Sequence, residues 1–390
     1  MSTSAASPVT LFLCGDIMTG RGIDQILTHP SDPRIYEAGA WSAVEYLELA
    51  ERAHGSIPRL AEPTYIWGDA LAELDRVQPA ARIVNLETSV TTSDEYERKG
   101  INYRMHPANV DCLKAARIDC CTLANNHILD WGRTGLRETL AVLHDAGIHT
   151  AGAGRNRDVA EYPAILNHTS PRRILVFAAA MSDSGVPSNW AATLRNPGVW
   201  FLPDYSAATV RHIRDVIRAS GKRPGDLVVF SLHWGDNWGY DVPSSHKLFA
   251  RRLIDSSPEG EPCGVDIVYG HSSHHPKGFE IYNGRLILYG CGDFLNDYEG
   301  ITGREAYRGD LTLMYFPTIG PEGDLQTFEM TPLQIRRFRL AKPSEADSCW
   351  MEDTLRREAG KFGVELHRSS AGTIVAVQPR PSSARIGIPQ

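Results

Sequence analysis

Nowhere does this sequence approach the run of about 18 apolar residues that a bilayer-crossing helix needs. Its opening segment, MSTSAASPVTLFLCGD, has no Lys or Arg and no long apolar core, the two features of a secretory signal. Seven cysteines are present (Cys14, Cys112, Cys120, Cys121, Cys263, Cys291, Cys349), but no C-x-x-C pair. An odd, unpatterned set favours reduced thiols over a disulfide framework. The expected compartment is therefore cytoplasmic, with no membrane span. A basic excess is lacking too. A formal net charge of -7 argues against a general nucleic-acid binder, which needs clustered Lys and Arg to neutralise phosphates. Repeats and low-complexity blocks are missing, and nothing specifies an oligomeric state. The remaining partner class is a small-molecule or polymeric anionic substrate.

What is present is ordinary globular material, 42% hydrophobic and 22% charged, in a chain of 390 residues long enough for a large core. Its apolar runs each end in a polar cluster. Thr10–Cys14 runs into Gly15-Asp16, Arg82–Asn85 into Leu86-Glu87, and Cys120–Leu123 into Asn125-Asn126-His127. Ile174–Ala179 ends at Met181-Ser182-Asp183, Leu227–Leu232 at His233-Trp234-Gly235, and Ile267–Tyr269 at Gly270-His271. Short apolar runs bounded this way suit buried strands. Helical spacing lies between them, as at Leu136, Leu140 and Leu143. The alternation predicts a layered α/β fold, and ligands of such folds bind beyond the carboxyl ends of strands. Phe279–Tyr289 predicts a hairpin, because Asn283-Gly284 supplies the two positive-φ residues of a tight turn.

Residues 24–67, with four prolines, are expected to form a helical lid-like insertion beside the site. From about residue 318 the pattern changes. A strand-like alternation at Phe338–Leu340, a helix near Met351–Phe362 and a loose tail over 379–390 predict a small C-terminal extension, 319–390, packed on a main domain of 1–318.

The strand ends carry the chemistry. Imidazole is a good ligand for zinc, iron or manganese, and Gly270-His271-Ser-Ser-His274-His275 places three within five residues. The alternative is a surface loop rich in His by chance. In Asn125-Asn126-His127-Ile-Leu-Asp130, an Asn oxygen can ligate a cation while Asp130 holds His127; the alternative is a capped helix start. Asp16 and Glu87 add carboxylates, which alone are common turn caps, and His233 adds another strand-end imidazole. Arg21, Arg104 and His106 are candidates to bind substrate anions, since Arg offers bidentate contacts. Gly152-Ala-Gly154 lacks the third glycine of a dinucleotide motif and reads as a turn.

In this order the segments GDIMTGRG, RIVNLET, LANNHILDWG, AGAGRN, SLHWGDNW, GHSSHH and LILYGCGDF resemble the CapA family, named for poly-γ-glutamate capsule biosynthesis. The resemblance covers roughly residues 9–316. It implies the calcineurin-like metallophosphoesterase fold, a four-layer α-β-β-α sandwich with a dinuclear site. By that analogy Asp16 ligates one metal and Glu87 bridges. Asn126, His233 and His271 hold the second metal, and His274 returns to the first. His127 sits outside as general acid or hydrogen-bond donor, oriented by Asp130. The sequence departs from the wider pattern. Ile17-Met18 follows Asp16 where Asp-x-His is usual, the bridging residue is Glu87 rather than Asp, the late motif is His-x-x-His, and Asp293 stands where the CapA motif has Asn.

The resemblance implies a hydrolase with two divalent metal ions (manganese, iron or zinc), acting on a phosphoester or a γ-glutamyl-type amide. The alternative is a non-hydrolytic component of polymer biosynthesis that binds acyl or peptide substrates, and a third reading has the site join them.

Overall fold

The computed structural model describes residues 7–167, 172–255 and 264–377. Two sheets organise these residues. One half of the larger is the parallel strands Val9–Ile17, Ala81–Leu86, Cys120–Thr122 and His149–Ala151, running in that order from the middle of the sheet to its edge. Leu311–Ile319 joins Val9–Ile17 antiparallel on the other side and continues into Leu325–Ile335, Ile374–Val377 and Glu365–Arg368. The second sheet runs Ala164–Asn167, Arg173–Ala180, Leu227–His233, Ile267–His271, Arg285–Leu288 and Phe279–Tyr282, with its middle four strands parallel.

The central strands, such as Arg173–Ala180, Leu227–His233 and Ile267–His271, are mostly apolar because both faces are covered. Leu175, Phe177, Val228 and Phe230 pack with Ile213 and Ile217 of helix Ala207–Ala219 and with Phe249 and Leu253 of helix Ser244–Ile254. The alternate residues Val176 and Val229 join Leu13 and Ile83 of the larger sheet in one continuous core, which extends to Leu74 of helix Ala70–Val77 and Leu136 of helix Gly132–Asp145. Helices, sheet, sheet and helices make a four-layer α/β sandwich. Each fully buried Leu, Val or Phe contributes about 1.5–3 kcal/mol of transfer free energy to it.

The hairpin forms as expected, with φ of 49° at Asn283 and 74° at Gly284. The 24–67 segment is more irregular than a helical insertion. It contains a small hairpin (Arg34–Glu37 with Ala40–Ser42), helix Val44–His54 and a 3-10 turn at Tyr65–Trp67.

Residue 318 falls inside strand Leu311–Ile319, and the chain beyond it adds strands to the same sheet before helix Glu345–Gly360. The strand expected at Phe338–Leu340 begins only at Leu340. Arg337 and Phe338 are left-handed (φ 56° and 54°), held so by their amides donating to the Glu299 carboxylate. The tail at 379–390 lies outside the described residues. No helix among the described residues is long and apolar enough to cross a membrane.

Candidate metal centre

Strand register brings the predicted residues to one level. Asp16 pairs with Asn85 on one side and with Asp293 on the other, while His233 pairs with His271 in the second sheet. The close approach of residues 293–295 requires glycine at position 15, where a Cβ would sit 2.0 Å from the Gly292 carbonyl oxygen. The two sheets thus present their carboxyl ends to a common cleft.

Asp16, Glu87, His233 and His271 are all buried there. Asp16 Oδ1 accepts from Asn85 Nδ2 at 2.7 Å, and Oδ2 accepts from the Ser272 amide at 3.1 Å. His271 Nδ1 lies 3.1 Å from Asp16 Oδ1, close enough for attraction but not aligned for a hydrogen bond, so both its ring nitrogens lack hydrogen-bond partners. His233 Nε2 meets Asn126 Oδ1 at 2.9 Å and stands 3.7 Å from Glu87 Oε1. Its Nδ1 is without a partner, as is Glu87 Oε2.

Buried polar atoms are almost always paired, and each orphan costs about 1–3 kcal/mol. Here four orphaned atoms on three residues are all of metal-ligating types. Charge points the same way. Burial first, then repulsion from Asp16 and Asp293, pushes the Glu87 carboxyl well up. Asp16 goes the other way: burial opposes its ionisation, but the His271 and His233 rings and the Asn85 amide outweigh it. A cation would relieve the crowded carboxylates and take the free lone pairs. The donor set therefore fits a divalent metal in its chemistry, although among the described residues no three His, Cys, Asp or Glu side chains stand together in coordinating geometry.

His127 and Asp130 flank this set. His127 Nδ1 is 2.6 Å from Asp130 Oδ2, and its Nε2 is 3.8 Å from Glu87 Oε1. Since the ionised carboxylate only accepts, the Nδ1 of a neutral ring carries the proton and Nε2 is left for the cleft. Burial above all lowers the pKa of His127 to about 4, against the pull of Asp130. Lys99 is the residue that sequence reasoning missed. Its ammonium donates to Asp130 Oδ1 at 2.7 Å and to the Asn126 carbonyl, and stands 3.3 Å from His127 Nδ1. No motif marks it, because it lies in the coil between Val90 and Arg104.

His274 reaches the cleft but is already engaged. Nδ1 meets the Asp293 carboxylate at 2.9 Å, and Nε2 meets Asn237 Nδ2 at 2.8 Å. Burial disfavours charge on this ring, yet Asp293 outweighs it and raises its pKa. Asp293, which replaces the expected Asn, is thereby placed in the site itself.

The three expected anion binders make contacts within the fold. Arg21 is buried and spent on Asp297 (2.5 Å) and Glu37 (3.0 Å). Arg104 lies on the Trp131 ring, 3.9 Å from its centroid, and donates to Ser93, Asp94 and Asp32. His106 caps a 3-10 turn, its Nδ1 accepting from the Ala108 amide. Guanidinium groups engaged this way inside the fold are held by its own carboxylates and carbonyls. The cations that line the cleft are instead Lys99 and Arg98, in a cavity of 440 Å³ shared with Glu87, Asn126 and His127.

Comparison with known proteins agrees with the motif reading. The family model described as bacterial capsule synthesis protein PGA_cap matches residues 10–298. A probable polyglutamine synthesis accessory protein of Mycobacterium tuberculosis is 44% identical over 363 residues, covering 92% of this chain and 93% of that protein. The PGA biosynthesis protein CapA of Bacillus subtilis is 26% identical, covering 89% of this chain and 76% of that one. Among solved structures, a 5'-nucleotidase precursor from Thermus thermophilus aligns with a TM-score of 0.44 at 14% identity, over 91% of this chain; the chain spans 59% of that structure's length.

Proposed function

The chain belongs to the PGA_cap family of bacterial capsule synthesis proteins, and from that premise we propose that it is a metal-dependent hydrolase acting on a phosphoester or a γ-glutamyl-type amide. The observation that carries the proposal is the set of orphaned donors, His271 Nδ1 and Nε2, His233 Nδ1 and Glu87 Oε2, buried where the parallel strands of the two mixed sheets end. We assign Asp16, Glu87, Asn126, His233 and His271 to two divalent cations, with His274 joining if it leaves Asn237. Their mixed oxygen and nitrogen donors suit manganese, iron or zinc. Bound there, such cations supply a Lewis acid and lower the pKa of water toward neutrality.

The chain's own residues do the rest. Asp130 fixes the His127 ring through Nδ1, so that Nε2 moves a proton at the reacting centre. Lys99 holds Asp130 in place and offers positive charge to an anionic substrate in the same cavity. A γ-glutamyl polymer of the kind the CapA family is named for would bring carboxylates to that charge, whereas the polyglutamine of the mycobacterial relative's name would bring neutral amides.

A second reading is favoured by two observations. Both His274 nitrogens are occupied, and Met18, in the place of the usual histidine, instead accepts from the Tyr298 hydroxyl at 3.4 Å. A site short of ligands suits a non-hydrolytic component of polymer synthesis, consistent with the word accessory in the mycobacterial relative's name. Turnover separates the two. Phosphoesters and γ-glutamyl amides are offered in the presence of manganese; hydrolysis that is lost in His271→Ala supports the enzyme, and no hydrolysis of either class supports the accessory role.

A further inference from the structure

A second cavity, of 530 Å³, adjoins the polar cleft, and the two share Ile101, Tyr103, Asn237, His274 and Tyr298 as walls. Their chemistry differs. The cleft presents Glu87, Lys99, Asn126 and His127, whereas the chamber adds Tyr46, Trp238 and Ile301. The polar ends of its tyrosines are already satisfied: Tyr103 and Tyr298 share a hydrogen bond at 2.7 Å, and Tyr46 donates to Glu37.

Charge in its wall is also largely cancelled. Arg21 is neutralised by Glu37 and Asp297 and lies 3.7 Å from the Tyr46 ring centroid. His54 meets Glu299, and Arg308 meets Asp310. Arg304 stands exposed over Trp238, in the same segment as Glu305. What remains is mostly aromatic and aliphatic surface, with Asn296, Thr302, Arg304 and Glu305 as the polar part of the wall.

The chamber is braced rather than collapsible. Trp238 packs between His274 (ring centroids 5.2 Å apart), Tyr307 (5.4 Å) and His275 (6.1 Å). Ile101 and Ile301 stay 44% and 50% exposed on its wall, apolar surface that a guest would cover. A preformed apolar pocket of this size, beside a few convergent polar groups, is how ligand sites are built.

We propose that this chamber binds an apolar group of aromatic size carried by the substrate, next to the bond on which the polar cleft acts. The inference rests on the cleft being the reacting site. It makes the substrate a two-part molecule: an anionic or acyl end at the polar donors, and a neutral flat body against Trp238. A plain glutamyl chain, acidic at every unit, would leave the chamber's apolar wall unmatched.

Calorimetric titration tests this on the full chain with manganese present. The ligand pairs are 2-naphthyl phosphate against methyl phosphate, and γ-glutamyl 2-naphthylamide against γ-glutamyl methylamide. The naphthyl member of at least one pair is expected to bind tenfold or more tightly. That preference falls to near one in Trp238→Ala and in Ile301→Asp, the latter being an exposed position whose change spares the fold. No preference, a preference unchanged in both variants, or no binding of either naphthyl compound overturns the proposal. A preference that both variants abolish, without turnover of any compound, upholds the chamber and counts instead against the hydrolase reading.

Discussion

The Nδ1 of His271, at the end of a central strand of one sheet, lies 3.1 Å from the Oδ1 of Asp16, at the end of a central strand of the other. The contact marks where the two halves of the sandwich bring their ligating residues together. Neither His271 nitrogen has a hydrogen-bond partner, although the ring is fully buried. The predictions below depend on what completes that arrangement.

His127→Ala should lower turnover by about 10²–10⁴-fold, the usual contribution of a positioned acid or base. Its Nε2 is 3.8 Å from Glu87 Oε1, so the ring borders the donor set without belonging to it. Metal content, measured alongside the rate, should therefore stay at the wild-type value. Loss of metal together with rate would make His127 a ligand.

Lys99→Met tests the residue that no motif marked. Removing the ammonium leaves Asp130 with the Tyr103 amide and His127 as partners. Outer partners of this kind are typically worth about 10–100-fold in activity. The expected outcome is a loss in that range that Lys99→Arg partly restores, read from initial rates. A wild-type rate in Lys99→Met contradicts the assignment.

Arg21→Ala should act on stability and hardly on substrate affinity. It leaves Asp297 and Glu37 buried without their counter-charge, which costs about 3–5 kcal/mol. Urea denaturation reads this directly. A large change in KM with an unchanged midpoint would restore Arg21 as a substrate contact.

Arg21 also shows where the sequence stops being informative. Its chemistry depends on Asp297, 276 positions away, and on Glu37 from the small hairpin, and neither partner is signalled locally. The same holds for Lys99, whose meaning comes from Asp130 across a loop. The strand-end residues were legible for the opposite reason. An apolar run that stops at Asp16, Glu87, His233 or His271 announces a buried strand and the side chain at its mouth, and parallel register then aligns those mouths. The four layers follow from the same runs, apolar on both faces. The left-handed pair Arg337-Phe338 was illegible, because the Glu299 carboxylate that holds it is remote in sequence.

Acid should destabilise the fold through histidines that are buried neutral. His275 Nε2 accepts from the Gly239 amide, and burial first of all lowers its pKa to about 4. Between pH 6.5 and 4 the unfolded chain binds a proton there that the folded chain does not, so stability is present above this window and lost as pH falls through it. From pH 7 to pH 5 the loss from this one ring is on the order of 1–2 kcal/mol. Thermal melts at the two pH values should show a smaller drop in His275→Asn than in wild type, and an equal drop contradicts the assignment.

The most direct test of the central claim is elemental analysis of bound metal per chain, on protein purified without chelator and compared with a His271→Ala/His274→Ala variant. The account expects about two equivalents in the wild type, the stoichiometry of a two-metal site, and none in the variant. No metal in the wild type, even after soaking in manganese or zinc, would contradict it and leave the buried donors to a binding protein.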